Sequence, residues 1–305
     1  MKDLNKSLAI SFSQNELVNK KILEKLINQS SITNNDLVYD IGAGTGSISM
    51  ALLKKGARVI AIEKDRIKYL KCKERFIGQD RFELYLDDFL VHEFSSAGKY
   101  KIFSNIPFFH TTEIVNKVLF NDNPPEDVYL IIQKEAAEKY AGVPKDTLAS
   151  LMIKPFFWVD IIYYFKRTDF HPVPSVDVVL LQIENRRCQL IPTQYYNLYK
   201  DFLVSLRGGA DSNTKKSFKK LFTYSQIKHF SNLLNINLKS SPNNLNFNQY
   251  LCLFQFYLGY KSRNKTLIQG AERKLRHQQA NIMKIHRTRV IGQKTKNKPP
   301  STTWN

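Results

Sequence analysis

The chain has 305 residues, 43 % of them hydrophobic and 24 % charged, with a net charge of +19 at pH 7. That length and composition suit one large globular domain plus a smaller one, exclude a disordered or fibrous chain, and pair with a charge that favours a polyanion, nucleic acid before an anionic membrane face. Cys72, Cys188 and Cys252 lie far apart with no C-x-x-C spacing, the six histidines form no metal signature, and Lys154, Pro155 and Asp160 interrupt the most apolar stretch; no disulfide framework, metal or membrane span is therefore expected, and a cytoplasmic protein is.

Ser13 and Glu16 are spaced as a capping box ahead of Leu17, Val18, Ile22, Leu23, Leu26 and Ile27, which recur at helical period. Gln14 and Asn15 sit at the start of this helix, where they serve as further capping residues or contact a ligand; spacing alone favours capping. Leu37 to Ile41 reads as a buried strand, and the run Gly42-Ala43-Gly44-Thr45-Gly46 turns it into a helix from Ser47 to Lys55. A second strand, Arg58 to Ile62, ends in Glu63 and precedes a helix from Asp65 to Phe76. A third, Phe82 to Leu86, ends in Asp87-Asp88-Phe89, and a fourth carries Asn105. Helical spacing from Glu113 to Phe120, a fifth strand from Val128 to Gln133 and a charged helix from Lys134 to Tyr140 follow. Trp158 to Phe165 and Val176 to Ile183 read as an antiparallel closing pair. This alternation predicts an α/β fold with a doubly wound, Rossmann-like sheet.

Beyond Arg187 strands give way to four helical stretches, Tyr195 to Leu206, Thr214 to Leu221, Ser225 to Leu234 and Phe247 to Tyr257. From Lys261 to Asn305 twelve Lys or Arg face one acidic residue, Glu272, so this tail carries +11 of the total charge. The expected organisation is thus an α/β domain at 1–187, a smaller all-helical domain at 188–260, and a basic tail at 261–305 without structure of its own.

The chemistry gathers at strand ends. Glycines 42, 44 and 46 let a ligand approach the backbone closely, but Ser47 stands where a dinucleotide fingerprint needs its last glycine, which disfavours a nicotinamide enzyme. Glu63 ends the next strand, where a carboxylate binds ribose hydroxyls, and Asp88 ends the third, placed to accept from an adenine amine with Phe89 beside the ring. A ribose acid and an adenine acid without a pyrophosphate fingerprint point to S-adenosylmethionine, its methionine part over the glycine turn near Asp40. The fourth strand ends in Asn105-Ile106-Pro107-Phe108-Phe109. Pro107 biases Ile106 toward an extended backbone, so that the Asn105 side-chain oxygen and the Ile106 or Pro107 carbonyl can accept both hydrogens of an exocyclic amine while Phe108 stacks on its ring. An adenine fits.

With these residues in place the sequence resembles the Erm family of ribosomal RNA adenine-N6 methyltransferases over about residues 10 to 260. The motifs that carry it are Ser13-Gln14-Asn15, Asp40 to Gly46, Ile62-Glu63, Asp88-Phe89, Asn105 to Phe108, Gln133 to Ala137 and Phe170 to Asp177. The resemblance implies N6-methylation of an adenine in 23S rRNA, naked or in an assembly intermediate, by a monomer that confers resistance to macrolide, lincosamide and streptogramin B antibiotics. It also implies that Gln14 and Asn15 neighbour the cofactor. Phe108 stands where many members have tyrosine, and Phe109 is bulkier than the residues common at its position. The same motif set occurs in dimethyladenosine methyltransferases of small-subunit rRNA, one alternative to the leading expectation; the other is an RNA-binding protein that uses the fold without catalysis, against which the intact Asn105 motif argues.

Overall fold

The structure, a computed structural model, describes residues 15–94, 98–207, 213–259 and 268–280. A two-residue strand β1 (Glu16–Leu17) leads to helix α1 (Lys20–Gln29), strand β2 (Leu37–Ile41), α2 (Ser47–Lys54), β3 (Arg58–Glu63), α3 (Arg66–Arg75) and β4 (Phe82–Leu86). Next come β5 (Lys101–Asn105), α4 (Thr111–Leu119), β6 (Asp127–Gln133), α5 (Lys134–Ala141), α6 (Leu148–Ile153), β7 (Phe157–Tyr164), β8 (Phe170–His171) and β9 (Val178–Asn185). Helices α7 (Tyr196–Arg207), α8 (Thr214–Lys219), α9 (Tyr224–Leu233), α10 (Phe247–Gly259) and α11 (Ala271–Ala280) complete the described chain.

Seven strands form one sheet in the order β4-β3-β2-β5-β6-β9-β7. The first five are mutually parallel, while β9 runs antiparallel to both β6 and β7. Every residue of β6 except Gln133 is buried, as is β2 from Val38 to Ile41, which is the pattern of parallel strands covered on both faces. One face carries a core with α1 and α2, built around Leu23, Ile27, Leu52, Val59 and Phe103; the other carries Ile102, Val128, Leu130, Val115 and Leu181. The chain steps outward from β2 to β4 and then restarts on the other side of β2 at β5. The carboxyl ends of β2 and β5 therefore flank the point where strand order reverses, which in such sheets opens a crevice. The α/β, Rossmann-like expectation and its helical C-terminal part are observed.

The core runs without a break from the sheet into the helices: Leu151 and Phe156 belong to the same apolar cluster as Tyr199, Phe202, Phe230, Phe254 and Tyr257. Thr147 and Thr223 each head a helix with a reciprocal capping box, which fixes where α6 and α9 begin after the helices that precede them.

Three expectations are corrected. The first helix starts at Lys20, with Asn19 accepting from Ile22 N–H, because Glu16 and Leu17 are drawn into a ladder with His171 and Phe170, a pairing between segments over 150 residues apart that local spacing does not encode; Ser13 lies outside the described residues. The short helix α6 was not anticipated. Within the tail, residues 271–280 form a helix whose start is fixed by Asp201 of α7: its carboxylate accepts from Gly270 N–H at 2.8 Å and Glu272 N–H at 2.9 Å, and Ile268 is buried beside it. Those amides are the unpaired donors that any helix start must satisfy.

Candidate active site

Gly42, Gly44 and Gly46 all take positive φ, +69°, +60° and +82°, so each glycine of the turn after β2 adopts a conformation that side chains disfavour. At Gly46 there is also no space: a Cβ would lie 2.4 Å from Phe76 Cε2 and 3.0 Å from Cys72 Sγ. The turn is thus packed down on α3, leaving its other side to the crevice. Gly42 N–H donates to the Ile62 carbonyl at 2.8 Å, tying the turn to the end of β3.

Glu63 holds the turn from below. Its carboxylate is 2 % exposed and accepts from Gly44 N–H and Asp65 N–H, both at 2.7 Å. Asp40, fully buried, accepts from the Ser49 hydroxyl at 2.6 Å through Oδ2, while Oδ1 has no partner among the described residues. Burial pushes its carboxyl up to about 7, with the Ser49 bond opposing and the Glu63 charge adding to the shift.

Asn105 ends β5 opposite Ile131 of β6. Its Nδ2 donates to the Asn15 carbonyl at 2.7 Å, and the Asn15 side chain in turn donates to the Pro172 carbonyl at 2.6 Å. The β1–β8 ladder, together with Val18 N–H on the Asp169 carbonyl at 2.8 Å, holds Asn15 in place. A motif segment 65 residues downstream therefore decides which way the Asn105 amide faces, with nitrogen toward Asn15 and Oδ1 as acceptor. Ile106 is buried, Pro107 has φ −59° and ψ 121°, and the Pro107 carbonyl already accepts from His110 N–H at 3.0 Å. Phe108 is half-buried against the α1/α2 core, whereas Phe109 is 53 % exposed, edge-on to His110.

The structure gathers Asn15, Gly42, Gly44, Asn105, Ile106 and Pro107 around one pocket. Gly46 closes the turn where it packs against α3, and Asp40 and Glu63 lie beneath it. Asp88 is set apart at the end of β4, accepting from Leu90 N–H at 2.9 Å and paired with Lys64 at 2.5 Å; burial raises its carboxyl, but these two donors outweigh it and leave it below the usual range. Phe89 is 6 % exposed and packs edge-on to Phe94 with Lys117 over its face, because the chain after β4 folds back onto the core. Gln14 lies outside the described residues. Sequence reasoning missed Glu16 and Lys68, which line the pocket. Glu16 was read as a capping residue, and Lys68 sits in the first turn after a strand end, a position that faces the crevice in such folds.

The donor set fits a methyl-donor nucleoside, with a cradle above Gly42 and Gly44, acidic groups at the next two strand ends, and a buried Asp40 oxygen still lacking a partner. Among the described residues no group of three or more His, Cys, Asp or Glu is arranged to hold a metal ion, and no helix is long and apolar enough to cross a membrane.

A family model described as ribosomal RNA adenine dimethylase matches residues 5–258. The chain is 28 % identical over 254 residues to an rRNA adenine N-6-methyltransferase of Escherichia coli, covering 83 % of this chain and 98 % of that one. It is 31 % identical over 252 residues to ribosomal RNA small subunit methyltransferase A of Mycoplasma mobile, covering 80 % and 96 %. Its fold matches the crystal structure of the 23S rRNA methyltransferase ErmE with a TM-score of 0.74 at 21 % identity, over 81 % of this chain and 100 % of that one. A match spanning the glycine turn, the Asn105 segment and the helices alike makes the chain a member of the ribosomal RNA adenine dimethylase family and an rRNA adenine-N6 methyltransferase, whose family and fold imply S-adenosylmethionine as methyl donor.

Proposed function

We propose that this enzyme methylates N6 of one adenine in 23S rRNA, once or twice, and so confers resistance to macrolide, lincosamide and streptogramin B antibiotics. The observation that carries the chemistry is the 2.7 Å bond from Asn105 Nδ2 to the Asn15 carbonyl, which commits Oδ1 to the role of acceptor. When bound, S-adenosylmethionine supplies an electrophilic methyl group. The chain's task is then to position a poor nucleophile, an amine whose lone pair is delocalised into its ring. Asn105 Oδ1 takes one amine hydrogen. The Ile106 carbonyl takes the other, or that of Pro107, which also accepts from His110 N–H and keeps a second lone pair. Both acceptors favour a pyramidal nitrogen and stabilise the positive charge that grows on it. Phe108 offers a stacking face to the extruded base, worth about 1–3 kcal/mol against an unstacking cost of a few kcal/mol.

Gln14, Asn15, Asp40 and the turn at Gly42, Gly44 and Gly46 hold the methionine end of the donor, Glu63 its ribose, and Asp88 with Phe89 its adenine; Phe89 acts there through its backbone, its ring being core. Since Glu63 now accepts from Gly44 and Asp65, ribose binding shares those oxygens' remaining lone pairs. The protein acts as a cytoplasmic monomer. The helices at 188–260 and the basic tail hold the RNA, and a looped or bulged base is its cheapest substrate. The 31 % identity to a small-subunit enzyme favours a second reading, methylation of 16S rRNA. Expression in a drug-sensitive host, with erythromycin susceptibility and primer extension on both rRNAs, separates them: resistance with a stop at a 23S adenine supports the proposal, and a stop on 16S rRNA alone overturns it.

A further inference from the structure

Of the residues lining the pocket, two are charged, Glu16 and Lys68, and they form an ion pair of 3.2 Å. Glu16 is held there by the β1–β8 ladder, in which it pairs with His171, and its carboxylate overhangs the turn so closely that a Cβ on Gly44 would lie 3.5 Å from Oε1. Lys68 stands in the first turn of α3, its N–H accepted by the capping Asp65 carboxylate at 3.0 Å. Glu16 directly follows Asn15, whose carbonyl orients Asn105, so the ion pair sits one residue along the chain from the reaction centre.

We propose that Glu16 and Lys68 form a clamp for the zwitterionic amino-acid end of the methyl donor, Lys68 receiving its carboxylate and Glu16 its ammonium. The inference rests on the reading of this pocket as the donor site. The nucleoside end of the donor presents hydroxyls and an amine, all of them hydrogen donors, and Glu63 and Asp88 match it with acceptors. The amino-acid end presents one charge of each sign. A lining with one cation and one anion beside the glycine turn is complementary to that end, the part of the donor that carries both charges. The pair is also able to exchange partners: with 24 % and 42 % of their side chains exposed, the two groups make a bond that adds little to folding. Inserting a zwitterion between them replaces one ion pair with two charge-assisted contacts.

The test is calorimetric titration of the full chain with S-adenosylhomocysteine and with 5′-methylthioadenosine, which shares the nucleoside and thioether but lacks the amino-acid end. Lys68→Met is expected to weaken S-adenosylhomocysteine binding about tenfold, the loss of one charge-assisted hydrogen bond, while 5′-methylthioadenosine changes less than about twofold. Lys68→Arg should restore most of the affinity. The isosteric Glu16→Gln should show a smaller loss with the same selectivity, and it carries the test if Lys68→Met does not fold. Equal losses for both ligands, or none for either, would leave the pair a plain tether between β1 and α3 and overturn the clamp. Failure of the wild-type chain to bind either ligand would overturn the donor site itself, a result distinct from the clamp's failure alone.

Discussion

Asn105 at the end of β5 gives its side-chain amide to the backbone carbonyl of Asn15, 90 residues earlier in the chain, at 2.7 Å. Because the partner is a main-chain atom held by the β1–β8 ladder, the orientation survives changes to neighbouring side chains. Replacing Asn105 by Ala removes the acceptor and is expected to lower kcat for methyl transfer to RNA by about 10²–10³-fold, the range for loss of one preorganised charge-stabilising group. Filter-binding assays with labelled methyl donor measure it; a loss under tenfold would sink the assigned role.

Phe108 is expected to act through its face and not through an attached group. Phe108→Tyr should keep kcat/KM within about threefold, while Phe108→Ala should lower it by about 5- to 150-fold, the stacking contribution of one base. Equal activity of Ala and Phe variants on an RNA hairpin would remove Phe108 from base recognition.

Asp40 makes stability depend on pH with a definite sign. Its carboxyl is raised by burial from 3.8 to about 7, so between those values the unfolded chain has released a proton that the folded chain still holds, and stability falls as pH rises. Below about pH 4 the penalty vanishes, and above about pH 7 it levels at about 4 kcal/mol. Asp40→Asn should remove most of this slope, so that urea unfolding shows variant and wild type alike near pH 4 and the variant the more stable near pH 8. A wild type that gains stability over the same interval relative to the variant contradicts the burial argument.

The glycines separate folding from binding. Gly46→Ala meets Phe76 and Cys72 and should cost at least about 3 kcal/mol, strain and overpacking together. Gly44→Ala, with Glu16 as its nearest neighbour at 3.5 Å, should cost about 1–2 kcal/mol of stability yet lose donor affinity, because the added methyl faces the pocket. Thermal unfolding paired with titration of S-adenosylhomocysteine distinguishes them, and similar stability losses at both sites would refute the packing contrast.

Two truncations dissect the tail. Removing 281–305 deletes six Lys or Arg and should weaken RNA binding and flatten its salt dependence without lowering the unfolding midpoint. Removing 268–305 should also destabilise the fold by about 1–3 kcal/mol, since the Asp201 carboxylate loses two N–H partners. Unchanged salt dependence in the first deletion would assign the tail another role.

Much of this was legible in the residues. Strand and helix periods gave the α/β order within a few positions, because β2, β3 and β6 are buried along most of their length and read as mainly apolar runs, and because capping residues such as Asp65 and Thr223 act on amides two or three positions away. Glycine at 42, 44 and 46 could be read as a turn that needs positive φ without knowing what lay above it.

Whatever depends on segments distant in sequence was not legible. Pairing of Glu16 with His171, the fold-back that buries Phe89, and the Asp201 cap on the tail helix are decided by long-range contacts, whose partners no local spacing names. The sequence by itself determined which groups stand at the ends of the strands, since side-chain alternation and turn chemistry are properties of neighbours. Only the tertiary structure decided which way each group faces: Asn105 toward the crevice with its oxygen, Glu63 inward to the amides of Gly44 and Asp65, and Lys68 across to Glu16, because a hydrogen bond or ion pair forms where the folded chain brings its two halves together.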